Sequence, residues 1–158
     1  MKLLSSLAKA CAILAGVLLT VITMITCASL IGRNTTGTTL LGDYELTAVA
    51  AGAAIALFLP WCQVKRGNII VDFFTAKCPE RLNAAFDRFG SLLFGLAMFL
   101  ITWRTAVGAL NAFDNQTTTM MLGFPEWIVY ASMVPPFFLT GLIALWQAVV
   151  GNFSEQGE

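Results

Sequence analysis

The sequence predicts an all-α membrane protein. One domain over residues 1–158 should hold four transmembrane helices, with both termini cytoplasmic and a short interfacial helix between helices two and three. Three observations carry this reading. Of 158 residues, 58 % are hydrophobic and only 11 % charged, where ordinary soluble domains carry about 25 % charged residues. A soluble fold of this size could not hide so much apolar surface. The apolar residues gather into four runs, each near the roughly 20 residues a spanning helix needs. The basic residues divide unequally between the gaps separating those runs.

The first run covers about residues 10–31 and is closed by Gly32 and Arg33. Lys2 and Lys9 ahead of it also fit a signal peptide. A secretory core is only about 7–15 residues long, and no small-residue cleavage site ends this run, so a retained helix is expected. The second run, about 46–64, stops at Lys65-Arg66-Gly67 and carries Pro60 in its last turn, where a lost backbone bond costs least. The third runs from about 89 to 110. Pro79 at a first turn, with Leu82, Phe86 and Phe89 on one helical face, allows an earlier start. The fourth, about 127–150, contains Pro135-Pro136. The pair should kink it, with the Ser132 and Thr140 hydroxyls placed to compensate. Between runs two and three, Ile69, Ile70, Phe73 and Phe74 recur around Asp72 as in a short interfacial helix.

Charge sets the orientation. Lys2, Lys9, Lys65, Arg66, Lys77, Arg81 and Arg88 fall on one side, and only Arg33 and Arg104 on the other. The positive-inside rule places both termini and the central loop in the cytoplasm. Trp61 and Trp146 then mark cytoplasmic ends, and Trp103 and Trp127 periplasmic ends, as an aromatic belt requires. Arg104 stands about six residues inside its run and is expected to snorkel to the headgroups.

The missing chemistry narrows function. Histidine is absent, which removes His-dependent catalysis, His-ligated haem and most zinc sites. Cys11, Cys27, Cys62 and Cys78 form no C-x-x-C pair and read as small buried residues. Ion pathways usually show as acids or bases inside the membrane. Here Asp43, Glu45, Asp114 and Glu126 stand at run ends or in loops. The expectation is a non-enzyme with no cofactor, metal site, catalytic residue, substrate site or nucleic-acid partner, unequipped to move a substrate by itself. Ala8/Ala12/Gly16 and Ala48/Gly52/Ala56 form small-residue stripes that let helices approach closely.

Several local patterns then occur in order. They are Gly42-Asp43-Tyr44-Glu45-Leu46, Leu59-Pro60-Trp61-Cys62-Gln63, Arg66-Gly67-Asn68-Ile69-Ile70-Val71-Asp72, Trp103-Arg104 and Leu122-Gly123-Phe124-Pro125-Glu126-Trp127. Over about residues 10–150 the chain resembles the small membrane subunit, DctQ-like, of tripartite ATP-independent periplasmic (TRAP) transporters. It departs from that pattern at Asn68, where the family often has His, and at Trp61, where it often has Tyr.

The resemblance implies a scaffold subunit in the bacterial inner membrane. It would pair with a large membrane subunit that carries the substrate, among membrane lipids, and work with a periplasmic substrate-binding protein. It further implies uptake of carboxylates such as C4-dicarboxylates or sialic acid, typically driven by sodium through the large subunit. Under it, Glu45, Arg66, Asp72, Trp103, Arg104 and Trp127 are candidate contacts to the large subunit or the interface. Arg33, Asp43, Asp114 and Glu126 are candidates for the rim where the binding protein docks. The alternatives are the four-helix small subunit of a tripartite tricarboxylate transporter, or an anchor subunit of another complex.

Overall fold

The computed structural model describes residues 2–37, 42–65, 67 and 80–150. Four helices account for nearly all of them: α1 (Lys2–Thr36), α2 (Asp43–Val64), α3 (Glu80–Asp114) and α4 (Glu126–Val150). Each is long and apolar enough to cross a membrane. The outer two in space, α1 and α3, are also the longest at 35 residues each. The third helix begins at Glu80, so the earlier start that Pro79 allows is realised. The expected interfacial helix around Ile69–Phe74 lies outside the described residues, as do Arg66 and Asp72.

The helices do not close into a four-membered bundle. α1 packs on α2, α2 on α4, and α4 on α3; α1 barely touches α4. Among the described residues α3 meets neither α1 nor α2. The spatial order is therefore α1–α2–α4–α3, an open row. Side-chain geometry on α2 shows why. Asp43 and Thr47 face α1, through Ser29 and Thr26, while Gly52 and Gln63 face α4, through Met133 and Gln147. At about 100° per residue these two sets lie on roughly opposite sides of the helix, so α2 separates its neighbours instead of wrapping them.

Close approach between helices comes from small residues. On α1 the buried positions Ala8, Ala15, Ile22 and Ser29 repeat every seventh residue, the spacing of a left-handed helix–helix seam. This replaces the expected Ala8/Ala12/Gly16 stripe: only Ala8 of that set is buried, and Gly16 faces open space. On α2, Ala56 is buried and Gly52 lies against the Met133 methyl, while Ala48 is exposed. Between α3 and α4, Gly95 lies under Leu145 and Gly141 under Phe99, whose ring also meets Phe138 edge-on at 5.5 Å.

The expected compensation at the double proline takes another form. α4 stays helical through Pro135-Pro136. The prolines remove the N–H donors that would reach the Ala131 and Ser132 carbonyls. The Ser132 hydroxyl donates to the Val129 carbonyl and the Thr140 hydroxyl to the Pro136 carbonyl, each at 2.7 Å. Neither is spent on a carbonyl that a proline frees.

The contacts also fix relative heights. Gly95 with Leu145, Phe99 with Gly141, and Phe113 with Trp127 define a single antiparallel register of α3 on α4. One end of the row carries Asp43, Glu45, Asp114 and Glu126, and the other Lys9, Lys65 and Arg88. From Trp127 near the acidic end to Gln147 near the basic end is about 30 Å of helix, the thickness of a hydrocarbon core.

Candidate functional site

At the acidic end, polar side chains bind the row together. Gly42 precedes α2 with φ 82°, a left-handed conformation that suits glycine. A Cβ there would run into the Leu122 side chain. Asp43 accepts a 2.6 Å hydrogen bond from Ser29, joining α1 to α2. Glu45 accepts from the backbone N–H of Met121 at 2.9 Å and of Leu122 at 3.1 Å. That loop is itself closed by Thr119 N–H to the Phe124 carbonyl at 2.9 Å and Glu126 N–H to the Thr117 carbonyl at 3.1 Å. Glu45 stands in the first turn of α2, where the helix dipole favours a carboxylate, but its hydrogen bonds hold the distant α3–α4 connection. The same connection presents Met120, fully exposed, at its tip.

At the basic end, Gln63 and Gln147 are both buried. Gln63 Nε2 donates to Gln147 Oε1 at 2.7 Å, and Gln147 Nε2 donates to the Gln63 carbonyl at 2.8 Å. Lys65 Nζ lies 5.7 Å from the centre of the Trp61 ring, within cation–π range.

The third feature is a trench of about 470 Å³ between α3 and α4 in the acidic half, lined by Arg104, Asn111, Asn115, Thr117, Glu126 and Tyr130 among others. A smaller hollow of about 390 Å³ beside α1 is lined by Ser29, Leu30, Arg33, Gly37 and Asp43.

The sequence-derived candidates thus separate. Arg104 and Glu126 share the trench, and Arg33 and Asp43 share the hollow. Trp127 packs edge-on against Phe113 at 5.5 Å, near the acidic end. Asp114 is exposed at the last residue of α3. Trp103 and Arg104 need correction. The α3–α4 register puts them level with Phe137 and Pro136, mid-height in the row and about 14 Å below Phe113. Neither stands at an end of the row; Trp103 is exposed at mid-height. Ser29, Gly42, Leu122, Gln63 and Gln147 were not expected as contact residues. Three of them, Ser29, Gln63 and Gln147, are polar groups inside apolar runs, and that was the available signal.

Fold and site together define a polytopic helical membrane protein in which a few polar side chains, at Ser29, Asp43, Glu45, Gln63 and Gln147, tie one element to another. The family model described as "Tripartite ATP-independent periplasmic transporters, DctQ component" matches residues 22–154, and the chain belongs to that family. It is a small membrane component of a TRAP transporter. No curated protein and no solved structure matches the chain.

Proposed function

We propose that this chain is the scaffold partner of the large membrane subunit in a carboxylate-uptake system of the inner membrane, with sodium coupling supplied by the large subunit. The observation that carries this reading is the open row. A small carrier needs a closed, polar interior or broken helices meeting at mid-membrane, whereas α1–α2–α4–α3 leaves broad apolar faces uncovered on both sides. Exposed apolar patches of that extent suit either lipid or a second membrane protein. The family's tripartite make-up favours a second membrane protein over part of this surface. The spans also carry no acid between their end turns, which fits a static role.

The basic end is assigned to the cytoplasm by its lysines and arginines. Arg33, Asp43, Asp114 and Glu126 then belong to the periplasmic rim offered to the binding protein. The test is to co-express the tagged chain with a TRAP-type large membrane subunit from the same organism and purify through the tag. A stoichiometric complex is expected. Recovery of the chain alone, together with uptake by the chain alone in liposomes, would overturn the proposal.

A further inference from the structure

Among the described residues, the packing leaves Arg104 unexplained. It is an exposed arginine at mid-height in the row, with no hydrogen bond or ion pair to any described residue. An arginine stays protonated, and a charge deep in a bilayer is costly unless it finds a partner. Glu126, the carboxylate of the same trench, is level with Asp114, about 15 Å higher along the helices. That gap exceeds the reach of an arginine side chain. Asp43 and Glu45 are at the same end as Glu126 and engaged with Ser29 and with Met121 and Leu122. Asp114 ends α3 there too, and Asp87 and Glu80 stand about 25 Å or more from Arg104 toward the basic end. No acid among the described residues therefore reaches Arg104, and its counter-charge has to be brought to the trench face.

Depth selects its source. Lipid phosphates lie at the edges of the hydrocarbon core, about 15 Å from its centre, again beyond an extended arginine. We infer that Arg104 pairs, at mid-membrane, with a carboxylate on a transmembrane helix of the large subunit, which packs along the trench face of α3 and α4. Arg104 would supply a planar, bidentate donor fork. Asn111, Asn115 and Tyr130 line the same trench above it, as polar neighbours for the seated helix. The inference rests on the proposed pairing with the large subunit and adds to it the contacting face and the chemistry of the contact.

The experiment uses the co-expressed complex. Wild type, Arg104→Leu and Arg104→Lys are purified in detergent, and the large subunit retained is measured. Arg104→Leu should retain about tenfold less, Arg104→Lys an intermediate amount, and the thermal midpoint of the chain alone should not fall. Neutralising each intramembrane Asp or Glu of the large subunit in turn should find one that reproduces the loss. Combining it with Arg104→Leu should add nothing further. Wild-type retention by Arg104→Leu overturns the inference while leaving the subunit pairing intact. So does Arg104-dependent phospholipid retained by the chain alone in native mass spectrometry, with no acidic residue coupled. If wild type captures no large subunit, the pairing itself fails and the inference falls with it.

Discussion

Glu45 and Met121 are 76 residues apart in sequence, yet the Glu45 carboxylate accepts the Met121 backbone N–H at 2.9 Å and 3.2 Å, one distance to each oxygen. The bond to Leu122 at 3.1 Å completes the clamp. It fastens the start of α2 to the connection between α4, its neighbour in the row, and α3 beyond it. In an open row, where no ring of helices enforces position, such end-ties set the spacing. Glu45→Ala should therefore loosen the connection locally before it unfolds the chain. Amide exchange at Met121 and Leu122 should rise about tenfold, with exchange in the α4 interior unchanged. Glu45→Gln keeps one acceptor oxygen and should fall between. Equal protection in wild type and Glu45→Ala would mean the clamp holds nothing.

Gly42 meets the same connection at the Leu122 side chain. Its φ of 82° disfavours any side chain, and a Cβ would collide with Leu122. Gly42→Ala should destabilise by about 1–2 kcal/mol from the backbone conformation alone, plus whatever the displaced Leu122 adds. The double variant Gly42→Ala/Leu122→Ala should recover the collision part and retain the backbone part. Thermal unfolding in detergent reads both. Full recovery in the double variant would show that the left-handed conformation is not required.

Much of this was legible in the sequence, for reasons that differ by residue. The four spans follow from uninterrupted apolar runs, because lipid demands satisfied backbones over a fixed thickness. Glu45 and Asp43 stood out as acids at a span's start. Their partners did not: Met121 and Leu122 contribute only backbone N–H groups, which any residue carries. The order α1–α2–α4–α3 was hidden too, since every helix is apolar on all sides and periodicity names no inward face. Arg104 was misplaced because distance from the end of an apolar run measures depth only if helices end together. α3 begins well beyond the basic end of α4, the helix it packs on, so its centre is not that of α4.

Gln63 and Gln147 offer a test of what buried amides contribute inside a membrane protein. Removing one partner leaves polar groups of the other in an apolar seam. Gln147→Leu should cost about 1 kcal/mol, the usual size for interhelical hydrogen bonds in bilayers. Gln63→Leu/Gln147→Leu should cost less than the two single changes added together. A denaturant or SDS unfolding cycle on the four proteins measures the coupling. Strict additivity would mean that the two side chains do not interact.

Two glycines separate packing within the chain from packing against something else. Gly141 is buried, and a Cβ there would stand 3.2–3.4 Å from the Phe99 ring. Gly16 has nothing within 4 Å. Gly141→Leu must push Phe99 away from Phe138 and open the α3–α4 seam, at a cost of about 1–3 kcal/mol. At Gly16 a Cβ meets no atom, and leucine is a better helix former than glycine, so the isolated chain should gain up to about 1 kcal/mol. The order of thermal midpoints should be Gly16→Leu, wild type, Gly141→Leu. A loss at Gly16 in the isolated chain would mean that α1 is packed on both faces and that the row is closed. A loss at Gly16 confined to the co-purified complex would instead place α1 under the partner.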